Sequence, residues 1–416
     1  MESVYRDARH AWSSAWNNAA RIVTIDLMIR PDALIVNDSF APRLALFYAA
    51  FFVASGLMLP FFPLWLAAKG LDAAAIGIVL AAAQFLRLGA IPAGTRLADR
   101  RGTLKGPLVA AALASVAGIA LVASADGFAA ILAVYVLATL VSAPILPLGD
   151  AYALKGLALR GLSYGPVRLW GSVAFMAANL GGGLMLAWLA PVNLIWPILI
   201  GYAAIAAAAL VLIPLPQALP RTAGEAGHGH LRDPAFLTVM AAASVVQASH
   251  AVYYGFSTLD WSAHGLSGAR IGALWALGVA AEIVLFALSG RLPPFVTPLA
   301  LIMLGGGAGL LRWTAMAFDP PAVWLPGLQL LHGLTFGATH LGALGFISRA
   351  APRGRGAMAQ GYYAIVSGGV TAVMMGLSGW LFAAYGALAY LAMALAAVAG
   401  CACGAVAHQA RQRAVV

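Results

Sequence analysis

The stretch LWLAAKGLDAAAIG, residues 64–77, is written a second time as LDWSAHGLSGARIG at residues 259–272. Leu64, Gly70, Leu71, Ile76 and Gly77 fall on Leu259, Gly265, Leu266, Ile271 and Gly272, an offset of 195 residues. Arg96-Leu97 falls on Arg291-Leu292 at the same offset. Gly, Ala and Leu are abundant in this chain, so scattered identities mean little. Identical spacing across the end of one apolar segment and the start of the next favours an internal repeat over chance.

Composition sets the solvent of this repeat. The chain is 62% hydrophobic and 9% charged, against roughly 25% charged residues in an ordinary soluble domain. Such a chain has too little polar surface to cover a water-soluble fold and reads as an integral membrane protein. Twelve apolar spans lie near 44–66, 74–96, 106–124, 128–153, 165–189, 193–213, 235–258, 269–290, 295–316, 322–348, 357–383 and 386–408. Each is long enough for a hydrocarbon core of about 30 Å at about 1.5 Å per helical residue. The offset of 195 residues covers six spans, an even number, so the copies are parallel repeats related by an axis along the membrane normal.

The net charge of +10 is an orientation signal rather than a nucleic-acid footprint. Of 24 Lys and Arg, nineteen lie in the termini and even-numbered loops, and only Lys69 and Arg270 in odd-numbered loops. Arg87, Arg168 and Arg312 are inside spans. The positive-inside rule then places both termini in the cytoplasm of a bacterial inner-membrane protein. Residues 1–42 mix charge, Trp and Asn without the apolar core of a signal sequence. A short amphipathic surface helix and a start codon chosen too early both remain open for them.

The expected organisation is this polar extension, a six-helix half over 43–213, a cytoplasmic linker over 214–234 and a second half over 235–410. The linker carries Pro214, Pro216 and Pro220, which stop helices. Its His228 and His230 read as solvated linker residues, and no metal is assigned. Cys401 and Cys403, two apart in the last span, point to different helix faces and make neither a disulfide nor a metal site.

Function is sought in the charges inside the spans. A charge at the centre of a transmembrane helix costs about 2.5–3.5 kcal/mol on insertion scales, so such residues face partners or a water-filled path. Asp150 precedes Lys155 by five residues and Arg168 follows Arg160 by eight, which puts both at similar depth on adjacent antiparallel helices. Mutual pairing is the expectation, since unpaired charges in low dielectric cost several kcal/mol each. The alternative is a carboxylate that takes a proton or a substrate hydrogen bond beside a guanidinium that grips substrate. Arg87 lies twelve residues before Asp99, about 18 Å along a helix and so near mid-bilayer. Its repeat mate is Glu282. The two either pair across a central cavity or bind partners within their own halves.

Polar and aromatic stripes accompany the charges. The tenth span carries His332, Thr335, Phe336, Thr339 and His340 on one helical face, and the seventh carries Gln247, His250, Tyr254 and Thr258. Tyr135, Thr139, Ser142 and Leu146 lead down the fourth span to Asp150, and the first adds Tyr48, Phe52 and Ser55. Stripes on spans one, four, seven and ten suit a central cavity. Histidine is the side chain best suited to exchange a proton near neutral pH.

Three sets of residues then carry a family resemblance. The loop Thr95-Arg-Leu-Ala-Asp99-Arg100-Arg101-Gly102 resembles the Gly-x-Leu-Ala-Asp-Arg-x-Gly signature of the major facilitators, with Thr95 in place of the first Gly. The second set is Asp150 with Tyr164-Gly-Pro-Val-Arg-Leu-Trp-Gly-Ser172. The third comprises His250 to Phe256, Trp275 to Glu282, Leu311-Arg-Trp313, and Leu331 to Phe336 with His340. Over residues 43–408 the chain resembles the 3-phenylpropionate permease branch of that superfamily, and more distantly the lactose and nucleoside proton symporters. The resemblance implies an all-α fold of twelve transmembrane helices in two pseudo-symmetric halves. It implies a gating role for Asp99 and Arg100, a substrate pair in Asp150 and Arg168, an acid at the substrate site in Glu282, and proton coupling by Arg312 and His332. Thr335 stands where the lactose-type symporters carry the proton-bearing Glu, so Asp150, Glu282 or His332 would take that duty.

The expectation is proton-coupled uptake of a small aromatic carboxylate such as 3-phenylpropionate, with no cofactor and a monomeric protein. Arg168, Arg312 and Arg87 can counter a carboxylate, and Tyr48, Phe52, Tyr254 and Phe336 offer ring-sized apolar contact, with His250 beside them. A sugar or nucleoside symporter and proton-driven efflux of small organic molecules are the competing transporter readings. The chain lacks a nucleophile motif and a His-Glu-x-x-His helix, which argues against an intramembrane enzyme.

Overall fold

The computed structural model describes residues 39–216, 233–293, 296–350 and 356–413. Residues 1–38 of the expected extension and 217–232 of the expected linker, with His228 and His230, lie outside the described residues. Every regular element among those described is helical. Ten stretches are long and apolar enough to cross a membrane; one of them, Met358–Ala407, contains two helices, and Tyr164–Met185 adds a further helix of 22 residues. Twelve helical columns result. In chain order they are α1 (Phe40–Ala68), α2 (Ala73–Arg101), α3 (Lys105–Ser124), α4 (Phe128–Ser142 continuing as Ile145–Ala158), α5 (Tyr164–Met185) and α6 (Ile195–Leu210). The second set is α7 (Pro234–Ala248 continuing as Ala251–Ala263), α8 (Gly268–Leu288), α9 (Pro298–Ala317), α10 (Leu325–Leu330 to Thr339–Ala350), α11 (Gly356–Tyr385) and α12 (Ala389–Arg413).

The repeated stretch marks the end of the first helix in each half. Gly70 and Gly265 are left-handed, at φ +85° and +80°, a conformation that glycine adopts without steric cost. Leu71 N–H reaches back to Leu66 C=O, and Leu266 N–H to Trp261 C=O. This six-to-one bond closes a Schellman motif and satisfies a helix-end carbonyl. The next helices start at Ala73 and Gly268, again 195 residues apart. Asp72 caps α2 by accepting from Ala75 N–H at 2.8 Å.

The repeated Gly77 and Gly272 join the two halves. A methyl group on Gly77 would stand 2.6 Å from Gly379 Cα of α11, and one on Gly272 would stand 3.2 Å from Gly183 Cα of α5. The halves therefore meet backbone to backbone, the small-residue packing by which membrane helices approach closely. Both contacts lie at the end of the bundle that carries the odd-numbered loops. There one apolar cluster runs through both halves, with Phe61, Trp65 and Ile76 of the first joined to Tyr253, Trp261 and Trp313 of the second. At the opposite end the core divides in two: Phe40, Phe47 and Tyr152 belong to a cluster of the first half alone, and Phe236, Phe346 and Tyr363 to one of the second half alone. The protein is sealed at the odd-loop end and parted at the end where α1 begins and α12 ends.

Gly77→Val is expected to push the sealed end apart. Spin labels at Lys69→Cys and Ser267→Cys, with Cys401 and Cys403 changed to Ser, will report a longer mean distance than in the Gly77 protein. An unchanged distance distribution would show that this contact does not set the closure.

Three of the four columns expected to line the cavity are interrupted. α4 breaks at Ala143-Pro144, where proline has no N–H to continue the ladder. α7 breaks at Ser249-His250, and α10 passes through a π-helical segment, Gly333–Ala338. Such a widened turn re-aims side chains and is frequent at functional sites. The apolar pattern foretold the columns and not these breaks.

Candidate functional site: two tiers of polar groups between the halves

The first tier lies towards the parted end. Tyr48 of α1 donates its hydroxyl to Asp150 Oδ1 at 2.6 Å, and Tyr164 of α5 donates to the same oxygen at 2.9 Å. Arg168, one helical turn beyond Tyr164, lays its guanidinium 3.9 Å above the Phe52 ring and 5.5 Å from that of Tyr48. Asp150 and Arg168 are both half-buried. No ion pair joins them among the described residues, which corrects the expectation of mutual pairing. Two phenols supply what the carboxylate was expected to take from the arginine. Stacked on an aromatic face, the guanidinium keeps its N–H edge free for another acceptor.

Of the two alternatives left open for Arg87 and Glu282, their mutual pairing is absent among the described residues. Arg87 is exposed, and its charge acts on Tyr135 of α4 and Tyr202 of α6, both in its own half. The cation whose field reaches Glu282 is Arg168, from the opposite half. The packing explains this: α2 lies against α11 and α8 against α5, so the pseudo-twofold axis puts equivalent positions on opposite flanks. Glu282 belongs to the first tier, half-buried, with its Cγ beside Gly337 of α10.

The second tier is buried in the C-terminal half, nearer the seal. Arg312 of α9 is 0% exposed. One of its amino groups donates to Gln329 Oε1 at 2.8 Å, and the other faces His332 Nδ1 at 3.2 Å and Thr335 Oγ1 at 3.3 Å. Its guanidinium carbon is 4.6 Å from the ring centres of both Tyr253 and Trp313. No carboxylate pairs with it among the described residues. His250, also fully buried, places Nε2 2.9 Å from Thr335 Oγ1 and Nδ1 2.9 Å from the Gln247 carbonyl. His332, Phe336 and His340 stack in sequence at 5.4 and 5.9 Å, and Tyr254 stacks on His250 at 5.5 Å. Gln247 holds the Phe336 carbonyl at 3.2 Å. The expected stripes of the seventh and tenth spans thus meet face to face.

The remaining site expectations lie elsewhere. Asp99 and Arg100 are exposed at the parted end, with no partner among the described residues. A separate group at the sealed end, Asp260, His264 and Asp319, brings its ligand atoms within 4.8 Å of one another. His264 lies just beyond α7, where a hydrogen bond to the Asp260 carbonyl and the nearby Asp260 carboxylate raise its pKa. Sequence reasoning gave a site role neither to these residues nor to three members of the two tiers. Tyr164 sits one turn before Arg168, and Gln329 one turn before His332. Extending each stripe backwards by one turn would have found both. Tyr253 carried no such signal, because its neighbour Tyr254 occupied the expected face.

The comparisons with known proteins agree with this architecture. The model of a family described as "MFS_1 like family" matches residues 42–398. The chain is 31% identical, over 85% of its length and 94% of the relative's, to an Escherichia coli (strain K12) protein named "Probable 3-phenylpropionic acid transporter". It is 26% identical to the maltose permease of Geobacillus stearothermophilus over 79% of its length and 84% of that protein's. The solved structure of the nucleoside transporter NupG superposes with a TM-score of 0.75 at 16% identity, over 89% of this chain and 99% of that one. At that identity the likeness concerns the fold.

Proposed function

Since the chain belongs to the MFS_1-like family of major facilitators, a multi-pass membrane transporter of small molecules, we propose that its cargo is a small aromatic carboxylate such as 3-phenylpropionate, taken up together with a proton. The single observation that carries this reading is Arg168. It is a half-buried guanidinium stacked on Phe52, left without an ion pair by Asp150, and facing the parted end of the bundle. A carboxylate that docks on its free edge places its own ring among Tyr48, Phe52 and Phe175, the latter two 6.4 Å apart. Charge-assisted hydrogen bonds supply orientation and the rings supply apolar burial. The named relative from E. coli favours the same cargo class.

Glu282 gives this site a partner for its empty state. Its charge and that of the cargo compete for Arg168 from opposite halves, so cargo binding exchanges one anion for another and frees the halves to rock. Glu282→Gln removes the competitor and is expected to tighten equilibrium binding of 3-phenylpropionate about two- to fivefold, the equivalent of about 0.5–1 kcal/mol between partly screened charges. Weaker binding would contradict the competition. Arg312, with His332 hydrogen-bonded to it, supplies the buried positive charge of the coupling group. With both termini in the cytoplasm of the inner membrane, the parted end faces inward and Asp99 with Arg100 belongs to its open gate. We take the transporting unit to be the monomer.

A second reading, a sugar or nucleoside symporter, draws on Asp150, a carboxylate held by two phenols and open to a cargo hydroxyl. Uptake into proteoliposomes decides between them. Initial rates of 3-phenylpropionate, maltose and uridine entry, corrected for protein-free vesicles, are compared with and without an inward-directed proton gradient. Gradient-stimulated entry of 3-phenylpropionate alone supports the carboxylate. Stimulated entry of maltose or uridine without it overturns that reading.

A further inference from the structure

In the second tier, the hydrogen-bond partners decide where a further proton can be added. Hydrogen-bond direction fixes how each histidine is protonated. The Gln247 carbonyl 2.9 Å from His250 Nδ1 is an acceptor only, so Nδ1 carries the hydrogen and Nε2 carries the lone pair. Thr335, 2.9 Å from that lone pair, then donates its hydroxyl to it, while Thr335 Oγ1 accepts from Arg312 at 3.3 Å. For His332 the direction is reversed. Arg312 donates to Nδ1 at 3.2 Å, so the His332 hydrogen is on Nε2. A proton added at His332 Nδ1 would set one N–H against another and break the contact with Arg312.

His250 meets no such obstacle. A proton taken at Nε2 turns that nitrogen from acceptor to donor, and the facing group is a hydroxyl, which can serve as either. The Thr335 hydroxyl rotates its hydrogen to the His332 carbonyl, 3.5 Å away, and its oxygen accepts from both His250 and Arg312. His250 Nε2, the Thr335 hydroxyl and the Arg312 amino group that faces them each keep a partner in both states. No covalent bond other than the new N–H forms, and the proton comes from solvent on the acidic side. Thr335 lies in the π-helical segment of α10, and its hydroxyl meets His250 of α7 and Arg312 of α9.

We propose that His250 is the proton-carrying residue of this transporter and that the Thr335 hydroxyl is the switch that accepts or releases its hydrogen. Thr335 does not titrate, and His250 supplies from α7 the titratable group that its hydroxyl faces. Arg312 on α9 is the one full charge that acts on His250. The other titratable groups near it are His332 on α10, Tyr253 and Tyr254 on α7, Glu282 on α8 through Tyr254, and Tyr390 on α12 behind Trp313. A protonated His250 beside Arg312 makes two positive charges with no described counter-ion, and a carboxylate arriving at Arg168 lowers the positive potential in which they sit. Anion and proton therefore bind with positive linkage.

This inference rests on the carboxylate-transport reading, and one set of proteoliposome measurements separates the two. Wild type, His250→Gln, His332→Gln, Thr335→Val and Thr335→Ser are compared in two assays: exchange of 3-phenylpropionate at equal pH, which needs no net proton movement, and entry driven by a proton gradient. One proton per cycle allows stimulation of at most about tenfold per pH unit. His250→Gln and Thr335→Val are expected to lose the stimulation of whatever exchange they keep, and loss of exchange itself in both overturns the proposal. Thr335→Ser is expected to keep both, and His332→Gln to keep the stimulation of whatever exchange remains. Retained stimulation in His250→Gln, or its loss in His332→Gln alone, overturns the proposal and leaves the transport reading standing. Variants that fail to elute as wild type from a sizing column are replaced by His250→Asn and Thr335→Ala, judged by the same criterion. A wild-type protein that shows no 3-phenylpropionate entry in either assay overturns the transport reading and this proposal with it.

Discussion

Arg168→Leu is expected to weaken equilibrium binding of 3-phenylpropionate by about thirty- to a hundredfold, while Arg168→Lys loses much less. The guanidinium offers two charge-assisted hydrogen bonds to a carboxylate, each worth about 1.5–3 kcal/mol beyond solvation, and only part of that sum survives the partial exposure of the site. Leucine keeps the contact with Phe52 that now orients Arg168 at 3.9 Å, so the packing of α5 on α1 is retained. The loss will therefore fall on binding and not on folding, and thermal unfolding in detergent should stay within a few degrees of wild type. An Arg168→Leu variant that binds the carboxylate as tightly as wild type would remove Arg168 from the site.

Arg312→Met is expected to abolish transport and yet leave the protein as stable as wild type, or more so. Arg312 is fully buried, and no described carboxylate pairs with it. Taking a charge out of water costs several kcal/mol even after relaxation, and replacing buried ions by apolar residues of similar volume is often neutral or stabilising. Against that stands the loss of three hydrogen bonds, to Gln329, His332 and Thr335, at about 1–3 kcal/mol for each acceptor left unpaired. Gln329 and His332 can turn to other partners or to cavity water, which tips the balance to near zero. Function has no such substitute, since the positive charge that links the anion to His250 is gone. Initial rates should fall at least about a hundredfold, the scale on which a hydrogen-bonded buried charge acts. A large fall in unfolding temperature together with retained transport would show that Arg312 is a structural residue.

The columns of the fold were legible because bilayer thickness and hydropathy leave a twenty-residue apolar helix few alternatives. The repeat was legible because its identities serve backbone needs: Gly70 and Gly265 end helices in the left-handed region, and Gly77 and Gly272 let the halves touch. The stripes of α7 and α10 were legible from their spacing, and they meet through Thr335 and His250. Pairing between elements was harder to read. Depth alone put Asp150 beside Arg168, but depth cannot see that Tyr48 of α1 and Tyr164 of α5 converge on the same carboxylate oxygen. The repeat made Arg87 and Glu282 equivalent and left open whether they pair; a twofold axis separates equivalent flanks, and Glu282 faces Arg168 instead. The interruption of α4 could be suspected at Pro144. The π-helical turn at Gly333–Ala338 depends on tertiary contacts, and its glycines press against α8 at Ala281 and Leu285.

The most direct test of the account is whether Arg168 recognises the negative charge of the cargo. Equilibrium binding of 3-phenylpropionate and of its neutral amide is measured on wild type and on Arg168→Leu. The account predicts that wild type prefers the carboxylate to the amide by at least about thirtyfold, the equivalent of about 2 kcal/mol, and that Arg168→Leu binds the two alike. Equal binding of carboxylate and amide to the wild-type protein, or a preference that survives the loss of Arg168, would contradict it.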